Sequence, residues 1–249
     1  MIKAGSINEV IAYLDHIIEW SRQKQSRVGY FATLYRKMTI AVQKGIADKS
    51  FEDGKRMELL DVIFANHYLQ AWEAYFNKQR CSNSWCATFD SRANNGLIVL
   101  QHLLLGINTH INLDLGIAAA QACPGDSIYG LQKDFEKIND VISTLMQGVQ
   151  DDLTEVWPPL RFFAGIANHR HEPILNFSMD AARKASWANA VALSVATGEA
   201  KKNYINRMDN SVVILANRII NPGFAVRFIL SPVRAMENDK VSDIIEMLY

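Results

Sequence analysis

Leu97 to Ala120 reads LIVLQHLLLGINTHINLDLGIAAA, and this stretch decides the fold. It is apolar on every side, so as a helix it must be buried. It also carries His102, Asn108, His110, Asn112 and Asp114. Polar groups taken out of water must be hydrogen-bonded, and charges paired or metal-bound. The segment therefore predicts a central helix, about residues 96–122, with a polar network or a site built into it. Its length suits a membrane span, but five polar side chains, one an Asp, would cost several kcal/mol in lipid. A buried core helix is the expectation, and no membrane span.

Helical patterning continues on both sides. All six prolines lie at or beyond position 124, so the first half runs as long helices. The spacing predicts a helix over about Ser6 to Arg27, opened by a Ser6/Glu9 capping box, with Val10, Leu14, Ile17 and Ile18 on one face. A second follows from about Tyr30 to Ile46. A third begins after Ser50, with a Ser50/Asp53 box, and carries Met57, Leu60, Phe64, Tyr68 and Trp72 on one side to about Lys78. Arg80 to Asn95 reads as a loop with at most one helical turn. Cys123-Pro124-Gly125 stops the central helix, and the next helix, capped by Asp126 or Ser127, extends to about Val156. A short helix is expected near Arg161 to Ala167, then a loop over Asn168 to Pro173. Further helices cover about Ile174 to Ala196, Glu199 to Ile219 and Val241 to Leu248. No segment shows sustained period-two alternation. The expectation is an all-α protein: one domain, residues 1–249, a compact bundle of about seven to nine helices around the buried central one.

Composition narrows the function classes. The chain has 249 residues, 49% hydrophobic and 21% charged, with 26 basic against 26 acidic side chains. A net charge of zero argues against a nucleic-acid partner. The N-terminus lacks the apolar core and cleavage site of a signal peptide. Three cysteines, Cys81, Cys86 and Cys123, match no common zinc knuckle, and a reducing cytoplasm is the default.

Four segments resemble a bacterial family of helical proteins of unknown function. Its signature, H-x-L-L-G-x-N-x-H-I-N-x-D-L, is present as HLLLGINTHINLDL from His102 to Leu115. FEDGKRMELLDVIFANHYLQAW (Phe51–Trp72), DFEKIND (Asp134–Asp140) and ARKASWANA (Ala182–Ala190) are similar to further blocks. The resemblance implies a fold and no reaction.

On the central helix, His110 and Asp114 are i, i+4 neighbours on one face. Asn108 and Asn112 share roughly the opposite face and read as bonds to neighbouring helices. His102 lies about 12 Å along the axis from His110, too far to share one ion. Gly106 between them admits a close neighbour or leaves a small cavity. His110 and Asp114 read in two ways. As a structural network, Asp114 accepts from His110 or from a buried Arg such as Arg183, fixing helix register. As a site, His110 is an acid/base or metal ligand, Asp114 its orienting partner, His102 a further catalytic candidate, and Asn108, Asn112, His67, Arg183 and Trp187 are substrate contacts. A divalent metal such as zinc would take His110 and Asp114, with a third ligand from His67, Asp61, His169, His171 or Asp180; His169 and His171 project the same way in an extended loop. The H-x-x-x-D pair is similar to ligand pairs in helical zinc-dependent phospholipases and nucleases, which also need an N-terminal Trp absent here. Asp134 reads as paired with an Arg or as solvent-facing near a helix start. Arg183 and Trp187, at i, i+4, read as a guanidinium beside an indole. P-loop, G-x-G-x-x-G, G-x-S-x-G and di-iron Glu-x-x-His patterns are all missing. The functional expectation is a binding or scaffold protein with a buried His/Asn/Asp network and room for a small molecule. The alternative is a metal-dependent or acid/base enzyme, hydrolase-like, with His110 and Asp114 at its site.

Overall fold

Ser6 opens the first helix, α1 (Ile7–Lys24), and its hydroxyl accepts from the Glu9 amide. The Glu9 carboxylate reaches back to the amide of Gly5 at 2.8 Å, so the capping box forms with its return bond one residue early. The computed structural model describes residues 2–138, 179–237 and 240–249. Helix α2 (Val28–Ala47) folds back on α1. Asn8 pairs with Gln43 and Asp15 with Arg36, fixing an antiparallel register.

Helix α3 (Gly54–Phe76) is capped by Asp53, whose side chain accepts from the Arg56 amide at 3.0 Å. The expected Ser50/Asp53 box is therefore replaced by a cap three residues later. The reason lies in Asp134, on a helix that begins at residue 128 and is described to 138, here α6. Its carboxylate accepts from the amides of Glu52 (2.7 Å) and Asp53 (3.1 Å) and from Arg56 Nη2 (2.9 Å). Burial opposes its charge, but these bonds win and hold its pKa below the usual carboxylate value.

Residues expected as a loop form a two-turn helix, α4 (Asn83–Asp90), followed by a 3₁₀ turn at Ser91–Ala93. The stabilising partner is remote. Asp209, in α8 (Gly198–Ile220), accepts from the amides of Asn83 and Ser84, both at 2.9 Å, and from the Ser84 hydroxyl. A carboxylate on the first turn complements its free N–H groups and its dipole. Cys81 and Cys86 flank this start and are joined as a disulfide.

The central helix, α5 (Val99–Ala122), is long and apolar enough to cross a membrane, and 94% of its most apolar window is buried inside the protein. It is surrounded by α2, α3, α4, α8 and α7 (Met179–Val195). Gln101 donates to the Ile219 carbonyl at 2.7 Å and Asn108 to that of Val212 at 3.0 Å. The equal seven-residue steps set α5 and α8 antiparallel. Asn112 donates instead within α5, to Asn108 Oδ1 at 3.0 Å, so of this pair the bond to a neighbouring helix expected for both is made by Asn108. The helix is not uniformly α: His110–Leu115 is π-helical. Ser186 of α7 donates its hydroxyl to the Ile111 carbonyl within that segment.

Helices α9 (Phe224–Met236) and α10 (Val241–Leu248) complete the described chain; α9 was not expected and contains Pro232. Ten helices and no strand occur among the described residues, an all-α fold. The excess over seven to nine comes from α4 and α9. The expected helix near Arg161–Ala167 and the loop Asn168–Pro173 lie outside the described residues.

Candidate functional site

Five helices, α2, α3, α5, α6 and α7, leave a space between them beside the π segment. Phe31 and Tyr35 come from α2, Asp61 and Phe64 from α3, His110 and Ile111 from α5, and Arg183 from α7; the cavity measures about 70 Å³. Gly106 makes this packing possible. A Cβ there would lie 2.3 Å from Phe31 Cγ, so only a glycine lets the Phe31 ring sit against the central helix. The close approach expected at Gly106 is thus made by an aromatic side chain.

His110 is 3% exposed and Asp114 3%. His110 Nδ1 lies 3.1 Å from Asp114 Oδ2, and the same oxygen accepts from Trp85 Nε1 at 2.9 Å. Indole nitrogen only donates, so Oδ2 takes the indole N–H and is shared with the imidazole. Burial pushes Asp114 well above its usual range, against the pull of Trp85, and burial with the charge of His67 pushes His110 well below its own. The pair is therefore a hydrogen bond between neutral groups rather than an ion pair. Phe64 stacks on the imidazole, centroids 3.6 Å apart and planes 9° apart, and Tyr35 meets it edge-on at 4.4 Å.

Three buried polar atoms in this wall have no hydrogen-bond partner among the described residues: His110 Nε2, Asp61 Oδ2 and Tyr35 Oη. Asp61 is 7% exposed and Tyr35 4%. Burial, with the nearby Glu58 carboxylate, raises the Asp61 pKa to about 7. Burial and then the charges of Asp61 and Asp114 push the Tyr35 phenol well up, so it stays protonated. Each unpaired atom costs roughly 1–3 kcal/mol when shut away from water.

Of the other expected site residues, Arg183 lines this cavity and the rest of the described ones lie elsewhere. His102 sits in a separate void of about 20 Å³ beside Arg27 and Tyr68, room for one water molecule. Burial and the charges of Arg27 and Arg234 lower its pKa to about 3. His67 bonds Gln121 at 3.0 Å. Arg183 does not stack on Trp187. Its guanidinium lies over the Phe135 ring at 4.7 Å and donates to the Phe135 carbonyl at 2.7 Å, while Trp187 packs on the same ring. Phe135 projects between them and takes both contacts. Asp180 pairs with Lys184 in solvent. His169 and His171 lie outside the described residues. Among the described residues, no three His, Cys, Asp or Glu side chains converge on one metal position.

Sequence reasoning named His110 and Asp114, and Asp61 only as a metal ligand. It missed Tyr35 and Phe64 as walls and Trp85 as the anchor. A Trp in a polar, Ser- and Asn-rich segment was the available signal for the last.

No match was found among curated proteins or among solved structures. A family of unknown function, DUF5995, matches residues 7–222, and the chain belongs to that family.

Proposed function

We propose that the protein binds a small, mostly apolar molecule in the cavity between α2, α3, α5, α6 and α7, with the ligand's polar group meeting His110, Asp61 or Tyr35. The observation that carries this reading is that three residues lining one apolar cavity each hold a buried polar atom with no hydrogen-bond partner among the described residues. A purely structural network pairs its members internally, as Asn108, Asn112 and Gln101 are paired here. The signature from His102 to Leu115 is then a recipe for this wall: Gly106 seats Phe31, Asn108 holds α8 with Asn112 bonded to it, and His110 and Asp114 form a bonded pair beside the cavity. We further infer a bacterial protein that works without nucleic acid and without spanning a membrane, α5 being an interior helix.

The test is a thermal-shift screen of small apolar fragments on the wild-type protein and on Ile111→Phe, which fills the cavity. A ligand at 100 times its Kd adds about 2.7 kcal/mol. Wild-type protein is expected to gain several degrees with at least one fragment class and Ile111→Phe to gain none. Equal responses in both proteins, or none in either, would reduce the site to scaffolding.

One observation favours a second reading, an acid/base or metal-dependent enzyme. His110 and Asp61, two titratable groups, line one space, as a base and an acid must. A metal there would need a third donor from outside the described residues, such as His169 or His171. Elemental analysis of tag-free protein, with His110→Ala as control, tests that arm: stoichiometric metal lost in the variant supports it, and background levels in both retire it.

A further inference from the structure

The stretch of α5 that lines the central cavity with His110 and Ile111 also lines a second space, with Asn108 and Asn112. This is an open cleft of about 460 Å³ between α7 and α8. Its polar groups fall together by register. Gln101 bonds residue 219 and Asn108 bonds residue 212. Continued along the two antiparallel helices, that pairing sets position 112 level with 208, beside Arg207, and position 116 level with 204. Asn189 of α7 joins at the second level. A Cβ on Gly116 would lie 3.1 Å from Asn189 Cβ, and the Tyr204 hydroxyl bonds the Asn189 amide at 2.9 Å. The Arg207 guanidinium carbon lies 5.9 Å from the centre of the Tyr204 ring. Farther along α8, Val212 and Leu215 line the same cleft.

We infer that this cleft is a second binding site, one for a small organic carboxylate. The carboxylate sits at Arg207, between the Asn112 and Asn189 amides, and the apolar body runs along α8 toward Val212 and Leu215. The site is separate from the central cavity and stands without it.

Charge selects the class. Among the described residues that line the cleft, Arg207 carries the only charge. Its side chain meets the Tyr204 ring and forms no ion pair among the described residues. An anion is therefore attracted and an ammonium repelled, whichever way the amides are turned. Each asparagine amide offers both donors and an acceptor, so one of its N–H groups can reach an oxyanion in either orientation. A planar guanidinium fits carboxylate and phosphate alike, with two parallel N–H bonds. The count of charges separates them. One arginine balances a carboxylate, whereas a phosphate monoester carries about −1.5 to −2 at pH 7 and would be left under-neutralised. The apolar side chains beyond Arg207 ask for a body with carbon on it, and about 460 Å³ falls within the roughly 300–1,000 Å³ of small-molecule sites.

The experiment is NMR titration of the full ¹⁵N-labelled chain with hexanoate, against hexanol, hexylamine and inorganic phosphate as controls. The side-chain amides of Asn112 and Asn189 are the reporters. Hexanoate is expected to shift both signals and to bind at least tenfold more tightly than each control. Arg207→Gln, at an exposed position, is expected to erase the preference over hexanol while leaving hexanol affinity unchanged. Ile111→Phe, which fills the central cavity, is expected to bind hexanoate as the wild type does. Any control that binds as well as hexanoate overturns the inference, as does an undiminished preference in Arg207→Gln. Loss of binding in Ile111→Phe overturns it too, by placing the acid in the central cavity. So does a titration in which hexanoate moves neither amide.

Discussion

Trp85 is the residue on which the chemistry of His110 depends, although the two are 25 positions apart and on different helices. Its indole N–H donates to Asp114 Oδ2, the same oxygen that bonds His110 Nδ1, and so fixes the imidazole's partner in place. Trp85→Phe keeps most of the ring and removes the donor. It is expected to cost about 1–3 kcal/mol in urea unfolding. In ¹⁵N spectra the wild-type imidazole should show a single neutral tautomer at neutral pH, and the variant a mixture. A mixture already present in the wild type would show that Trp85 does not order the pair. The sequence made His110 and Asp114 visible because an ionisable pair at i, i+4 inside an apolar run has few explanations. Trp85 was invisible because its partner is reached only through tertiary packing, and Tyr35 because one aromatic on an aromatic-rich helix looks like any other core residue.

At the level of the element, two features of the central helix and its neighbour escaped the patterns that worked elsewhere. Periodicity located α5 and its burial, since apolar residues on all sides leave little choice. It could not reveal the π turns over His110–Leu115, because hydrophobicity does not distinguish π from α when every face is buried. Insertions of this kind are frequent at functional sites, and this one carries both members of the His110/Asp114 pair. Helix α4 escaped for another reason. Its composition favours a loop, and the carboxylate that caps it comes from 126 residues away. Asp209→Ala is expected to cost about 2 kcal/mol, the scale of a strong cap, and to raise amide exchange across residues 83–86 selectively. Uniform exchange throughout the protein would show that Asp209 supports the fold rather than α4. Gly106→Ala tests the packing of α5 on α2. The added methyl must push the Phe31 ring, an overpacking cost of about 1–3 kcal/mol, and the displaced ring should close the cavity to ligands. Retained fragment binding in that variant would separate Phe31 from the site.

For the whole molecule, burial of titratable groups makes stability depend on pH in two opposing ways. His102 is held neutral, with its folded pKa near 3 against about 6.5 when unfolded, and His110 is displaced in the same direction. Their contribution is complete above pH 6.5 and is lost as pH falls toward the folded values, on the order of 4 kcal/mol for His102. Asp134 adds a loss only at lower pH, below the ordinary carboxylate range. Asp114, displaced upward by burial, acts in reverse, and so does Asp61. Its folded pKa of about 7 exceeds the unfolded value near 4, so its contribution is complete below pH 4 and is lost as pH rises through 7, again on the order of 4 kcal/mol. Wild-type protein should therefore show a shallow profile between pH 4 and 7, where the trends cancel. Single variants should expose them. Asp61→Asn is expected to match wild type below pH 4 and to become progressively more stable than it up to pH 7, with a plateau beyond. His102→Gln is expected to flatten the acid limb. Urea midpoints from pH 3.5 to 8 measure both. A constant offset between wild type and Asp61→Asn at every pH would mean that Asp61 does not titrate on folding.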